Sequence, residues 1–284
     1  MPLTSKELLS LEEKAYELRL LSIDPALRLG NGNIGEVLSS IDIFIMLYHK
    51  YLNIDFKNSK DEYRDRLVLS KGQVGIHLVP ILLDNVFVHK GLLKEYNHIK
   101  DNLGINSDIR KVSKEEVSIC SLGHGLSIGL GMALGARIKS KEYKVYCLLS
   151  DEECNRESIW EAAMAIAHLK TTNLITIINK NRYVIDNLAK EIITLESFAD
   201  KWRNLGFIVE EVNGHSFKEL SEALDFALSE NKKPVVIIAN TVNGCGVDFI
   251  EDDYKCTYGI FDEEKVKEAK ESLEKYYETR IKEV

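Results

Sequence analysis

Apolar residues recur along this chain with two different periods, and the two alternate. In residues 5–23, just ahead of Pro25, Leu8, Leu11, Ala15, Leu18 and Leu21 return every three or four positions, the spacing of one helix face. Residues 39–51 and 76–88 predict helices in the same way, the second with Pro80 near its start. Short apolar runs rich in β-branched residues, at 144–149, 174–178, 207–212 and 234–239, are of the kind that a parallel sheet buries on both faces. Phe217, Leu220, Leu224 and Ala227 mark a helix between two of them, as does the segment ending near His168. The alternation predicts an α/β fold: a doubly wound, mostly parallel sheet with helices on both faces. Residues 262–283 mix acids and bases and read as a solvated, amphipathic terminal helix.

Composition narrows the picture by exclusion. With 284 residues and no Pro/Gly/Ser-rich linker or composition break, the chain reads as a single domain over 1–284. A net charge of −8, with lysines spread among acids, gives no footprint for nucleic acid. No apolar run approaches the roughly 20 residues that span a bilayer, and the start lacks the apolar core of a secretory signal, so no membrane is expected and the cytoplasm is. The five cysteines, Cys120, Cys147, Cys154, Cys245 and Cys256, include no Cys-x-x-Cys pair, which argues against a disulfide framework or zinc site. Cys147 sits in an apolar run as a small hydrophobe; Cys120 and Cys154 fall near the loops discussed next, with packing favoured over reactivity because no basic partner is identifiable.

Two of the apolar runs end in polar residues with ligand chemistry. Leu148-Leu149-Ser150-Asp151-Glu152-Glu153 ends in acid, and Ile177-Ile178-Asn179-Lys180-Asn181 ends in two asparagines. On adjacent strands they put carboxylate and amide oxygens where open α/β sheets bind ligands, and such oxygens suit Mg²⁺ together with a phosphorylated group. Asp151 is also a good N-cap for the helix that follows, and that simpler role stands beside the first. Gly123, Gly125, Gly129 and Gly131, at the start of and within a helix, suggest close approach: to a ligand at the loop, and to a partner helix further on.

The remaining motifs carry a family likeness. Gly32-Asn33-Ile34-Gly35 with Leu38-Ser39, Arg64-Asp65-Arg66-Leu67-Val68-Leu69-Ser70-Lys71-Gly72, Ser121-Leu122-Gly123-His124-Gly125 and Gly131-Met132-Ala133-Leu134-Gly135 stand in one register. Asp200-Lys201-Trp202-Arg203, Asn213-Gly214-His215 and Ala239-Asn240-Thr241-Val242-Asn243-Gly244 continue it. The chain resembles the transketolase family, specifically the diphosphate-binding half that some organisms encode separately. The resemblance implies thiamine diphosphate held through Mg²⁺ (with Ca²⁺ or Mn²⁺ as alternatives), with Asp151, Asn181 and the main-chain carbonyl of Tyr183 as metal ligands. It implies Leu122 and Ile185 against the cofactor rings, with Glu152 and Gln73 also at the cofactor. It places Asn33, Gln73, Thr257 and His124 in the substrate pocket. The activating glutamate and most acceptor-phosphate residues lie in the family's other half, so a complementary C-terminal subunit is expected, in a homodimer or heterotetramer acting on a small-molecule substrate.

Departures from the family pattern keep other readings open. The family's Gly-Asp-Gly is Ser150-Asp151-Glu152 here, so Glu152 must supply an N–H where a glycine normally does, and its carboxylate would repel the diphosphate unless it turns away or pairs with a base such as Arg156. The family's Gln-Glu-Gly becomes Asn155-Arg156-Glu157, and several channel histidines are replaced by Asn33, Gln73, Ile105 and Thr257, which cannot titrate near neutrality. A two-chain transketolase-like enzyme moving a two-carbon ketol or acyl unit is the reading favoured. A non-catalytic scaffold with a degenerate site is the alternative, and a 2-oxo acid decarboxylase or dehydrogenase component is a third.

Overall fold

The computed structural model of the chain describes residues 2–29, 34–55, 58, 61–70, 122–181, 183–184, 187–188, 197–253 and 262–284. A long helix, α1 (Ser5–Leu29), and α2 (Ile34–Met46), which runs into a π turn at Leu47–Tyr51, precede the first strand, β1 (Arg66–Leu69). Then come α3 (Gly125–Ile138), β2 (Val145–Ser150), a 3-10 turn at Glu152–Asn155, α4 (Glu157–His168) and β3 (Leu174–Lys180). A two-strand ribbon, β4 (Tyr183–Val184) with β5 (Asn187–Leu188), leads on to α5 (Phe198–Leu205) and β6 (Ile208–Asn213). The chain closes with α6 (Phe217–Ser229), β7 (Val235–Asn240) and α7 (Glu263–Lys282).

Among the described residues, five strands form one parallel sheet in the order β1-β2-β3-β7-β6. The alternation of side chains along each strand separates two cores. Tyr146, Leu148, Ile175, Ile177, Val235 and Ile237 pack against α1, α2, α6 and α7 on one face. Val145, Cys147, Leu149, Leu174, Val236 and Ile238 pack against α3, α4 and α5 on the other. Helices on both faces explain why the central strands read as continuous apolar runs. The doubly wound, parallel α/β architecture expected from the sequence is the one observed.

Local signals account for most boundaries. Thr4 and Glu7 form a reciprocal capping box at the start of α1, with Thr4 N–H on Glu7 at 2.8 Å and Glu7 N–H on Thr4 Oγ1 at 3.3 Å. Ser216 caps α6 and Asp262 caps α7, and Gly206 closes α5 with φ 103°. Two expectations shift, one strand was not expected, and the helix read over 76–88 lies outside the described residues. Helix α1 continues past Pro25 to Leu29, although a proline inside a helix removes one hydrogen bond and crowds the carbonyl four residues back. Helix α2 begins at Ile34, five residues before the 39–51 segment read from periodicity; Gly35, a poor helix former, stands in its first turn. Strand β1, only four residues long, was not separable from its polar flanks.

The terminal helix is less solvated than its composition suggests. Val266, Ala269 and Leu273 are buried in the sheet's core, and Arg280 pairs with Glu12 of α1 at 2.6 and 2.8 Å.

Candidate functional site

The carboxyl ends of β1, β2, β3 and β7 carry a continuous line of buried polar residues: Ser70, Ser150, Asp151, Asn179, Asn181 and Thr241. Register puts Ser150 of β2 opposite Asn179 of β3, and Asp151 N–H donates to the Asn179 carbonyl at 3.2 Å. Asp151 and Asn181 therefore lie just beyond the ends of two adjacent strands, 8% and 2% exposed.

Glu153 ties the loops on the β1 side together. Fully buried, its Oε1 accepts from Ser70 Oγ and from Gly123 N–H at 2.9 Å, and its Oε2 accepts from Ser150 N–H at 3.0 Å. Ser70 Oγ also accepts from Gly125 N–H at 3.2 Å, and Ser158 donates to the Gly123 carbonyl at 2.9 Å. The two glycines are required by this closeness. A Cβ on Gly125 would lie 2.3 Å from Ser70 Cβ, and one on Gly123, whose φ is +90°, would meet Ser158 Oγ at 2.7 Å.

A second network joins β3 to α2 and to the loop after β7. Asn179 donates through Nδ2 to Ser39 Oγ at 2.9 Å and to Glu36 Oε1 at 3.3 Å, while its Oδ1 accepts the Thr241 hydroxyl at 2.6 Å. Asn181 Nδ2 donates to the other oxygen of Glu36 at 2.8 Å. The loop after β7 is fastened to α2 as well: Gly244 N–H bonds the Gly35 carbonyl at 2.9 Å, and Val242 N–H donates to His215 Nε2 at 2.9 Å. His215 Nδ1 in turn sits 2.8 Å from Asp42, which Arg19 holds bidentately at 2.9 and 2.7 Å. Burial opposes ionisation of Asp42, and the charge of Arg19 overrides it, holding the carboxyl well below the usual carboxylate range. At His215 burial disfavours the charged ring, and Asp42 together with Cys245 outweighs it, so that its pKa is raised to about 9. The Val242 N–H needs the Nε2 lone pair, however, so this geometry holds the neutral ring with its proton on Nδ1, facing Asp42.

Residues 11–279 match the thiamine diphosphate binding domain of transketolase. The chain belongs to the transketolase family. It is 33% identical over 273 residues to one of the subunits of the apulose-4-phosphate transketolase of Phocaeicola vulgatus, covering 95% of this chain and 96% of that protein. It is 32% identical over 271 residues to a 6-deoxy-6-sulfo-D-fructose transketolase subunit of a Clostridium species, covering 95% and 98%. Among solved structures, the transketolase of Campylobacter jejuni superposes with a TM-score of 0.85 at 28% identity, over 93% of this chain and 42% of that one. The transketolase of Leishmania mexicana, at 19% identity and TM-score 0.80, shows the shared fold over 96% of this chain and 45% of its own. The chain thus spans less than half the length of these two solved transketolases and nearly all of the two subunits.

Against this family frame the expected residues divide. Asp151, Glu152 and Asn181 come together at the ends of β2 and β3, with Tyr183 opening β4 shortly after. Leu122 is half-buried in the turn before α3. Asn33, Gln73, Ile105, Ile185 and Thr257 lie outside the described residues. His124 is exposed at the N-cap of α3 and its side chain caps nothing. Asp151 stands at the N-cap of the 3-10 turn without a side-chain cap bond, so helix capping does not account for it. Glu152 lies in that turn and is not among the residues with positive φ, so the backbone there does not demand glycine. The close approach expected at Gly123 and Gly125 is met by the chain's own Ser70, Arg156 and Ser158, whereas a Cβ at Gly131 or Gly135 would meet nothing within 4 Å.

Burial pushes the thiols of Cys147 and Cys154 well up, which leaves packing as their role; Cys120 and Cys256 lie outside the described residues. Glu36, Ser70, Glu153 and Thr241 were not singled out from the sequence as site residues. The available signal was an acid placed where its surroundings are apolar, as Glu36 is between Ile34 and Leu38.

Proposed function

We propose that this chain is the thiamine diphosphate- and Mg²⁺-binding subunit of a two-chain transketolase that moves a two-carbon ketol unit between sugar-like substrates. The observation that carries the reading is the placement of Asp151 and Asn181, both buried, beyond the ends of adjacent parallel strands. One carboxylate, one amide oxygen and the Tyr183 carbonyl make an all-oxygen donor set, which fits a hard cation that completes its shell with phosphate and water. Such a site needs no cluster of acids, and among the described residues no group of three or more His, Cys, Asp or Glu gathers for a metal. Thiamine diphosphate would supply the carbanion-stabilising chemistry. The protein's part is to neutralise the diphosphate through the metal, to hold the glycine loop before α3 through Glu153, and to wall the site with half-buried Leu122.

Both similar proteins are named as transketolase subunits, which supports a complementary subunit for this chain; the site would be completed at their interface, in a heterotetramer. Their names carry apulose-4-phosphate and 6-deoxy-6-sulfo-D-fructose, a phosphorylated and a sulfonated sugar, which supports a modified sugar here; Asn33 and Gln73, where transketolases carry histidines, fit a substrate held by neutral hydrogen bonds. The scaffold alternative loses one of its motives, since Glu152 sits in the turn without a positive φ. Free buried thiols at Cys147, Cys154 and Cys245 accord with the cytoplasm, and no helix among the described residues is long and apolar enough to cross a membrane.

Calorimetric titration of thiamine diphosphate, with and without Mg²⁺ and with the complementary subunit present, tests the reading. Wild type should bind in a Mg²⁺-dependent manner, and Asp151→Ala should abolish that dependence while melting at the wild-type temperature. Equal binding by both proteins, or by neither, refutes it.

A further inference from the structure

We propose that Glu36 is a positioning residue for the cation site, its carboxylate deciding which end of the Asn181 amide faces the metal. The inference rests on the cofactor reading above and goes beyond it, since Glu36 belongs to none of the strand-end turns that supply ligands. A carboxylate only accepts hydrogen bonds, so an amide held against it must present its nitrogen. Asn181 Nδ2 lies 2.8 Å from Glu36 Oε2, and Oδ1 is therefore turned to the other side of the amide. That is the atom a hard cation needs.

Both asparagines that end the apolar run give their nitrogens to the same carboxylate, and Thr241 sets Asn179 apart. Asn179 uses its nitrogen on Ser39 and Glu36 and its oxygen on the Thr241 hydroxyl, so both ends of that amide serve the fold. Asn181 gives its nitrogen to the same carboxylate. The position of Glu36 is itself fixed. Its neighbour Gly35 accepts the Gly244 N–H at 2.9 Å, and Asn243 lies so close that a Cβ at Gly35 would stand 2.5 Å from its Oδ1. The first turn of α2 thus cannot drift from the end of β3. Groups that orient a metal ligand in this way are commonly worth 10- to 100-fold in metal affinity.

Glu36→Gln discriminates sharply because glutamine keeps the shape but offers one acceptor and one donor to two converging amide nitrogens. Mn²⁺, followed by its EPR signal, is titrated into the complex of the full chain and its complementary subunit, with thiamine diphosphate held constant. We expect Glu36→Gln to bind Mn²⁺ 10- to 100-fold more weakly than wild type. In an Asn181→Ala background the same change should cost less than about threefold further, because the residue it acts through is gone. Glu36→Asp keeps the charge but withdraws it by one methylene, and should lose affinity as Glu36→Gln does; it carries the test if the glutamine variant fails to fold. Wild-type affinity in either Glu36 variant, or an undiminished loss in the Asn181→Ala background, overturns the positioning role while leaving the cofactor reading intact. A wild-type protein that takes up no Mn²⁺ overturns both.

Discussion

Replacing Asp42 by asparagine is the sharpest test of how the fold supports the site, because one carboxylate there takes three hydrogen bonds from two partners. Asp42 is fully buried, receives two bonds from Arg19 at 2.9 and 2.7 Å, and faces His215 Nδ1 at 2.8 Å. Asparagine is the same size, but it trades one acceptor oxygen for an NH₂ group that must oppose either Arg19 or the Nδ1–H of His215. It also leaves the Arg19 guanidinium buried without its counter-charge. Breaking a buried pair from one side costs about 3 to 5 kcal/mol, a large part of a total stability of about 5 to 15. At about 2 to 4 °C per kcal/mol for a large domain, the melting temperature should fall by roughly 6 to 20 °C.

The pH dependence of that loss has a definite sign. The Asp42 carboxyl titrates below its unfolded value of about 3.9, so its contribution is fully present above that pH and disappears as the pH falls through the folded value. Wild type and Asp42→Asn should therefore differ most near neutrality and converge in acid. Urea unfolding followed by circular dichroism at a series of pH values gives the midpoint, and an unchanged m-value would show that stability alone has changed. A loss below about 1 kcal/mol at neutral pH, or a difference that stays constant down to pH 3, would refute the assignment of this carboxylate as the ionised centre of the network.

Two further outcomes follow from the glycines and from the acid beside Asp151. Gly125→Ala should destabilise by about 1 to 3 kcal/mol or more, because its Cβ would stand 2.6 Å from the Ser70 backbone. Gly131→Ala, with nothing within 4 Å, should stabilise the isolated chain by up to about 1 kcal/mol; thermal melts showing the same sign for both would contradict the packing described. Glu152→Gly should leave thiamine diphosphate affinity unchanged or weaker, since the turn already accommodates glutamate; a gain above about tenfold in a calorimetric titration at fixed Mg²⁺ would favour the degenerate-site alternative.

Much of the fold was legible in the sequence, and the reason is periodicity. Strands buried on both faces need unbroken apolar runs, and the four runs at 144–149, 174–178, 207–212 and 234–239 became four of the five strands of the sheet, each displaced by at most a residue or two at its ends. The candidate ligands were legible for a related reason: polar residues ending such runs fall at strand ends, and Asp151 and Asn181 do. Short β1 was missed because four residues carry too little pattern, and the early start of α2 because Gly35, a poor helix former, stands in its first turn. What only the tertiary structure decided are the pairings across long stretches of chain. Glu36 with Asn179 and Asn181, Glu153 with Ser70 and Gly123, and Asp42 with Arg19 and His215 each join residues that no local spacing relates. Hydrogen bonds of buried side chains depend on which elements the core brings together, and that is set by the packing of the whole sheet.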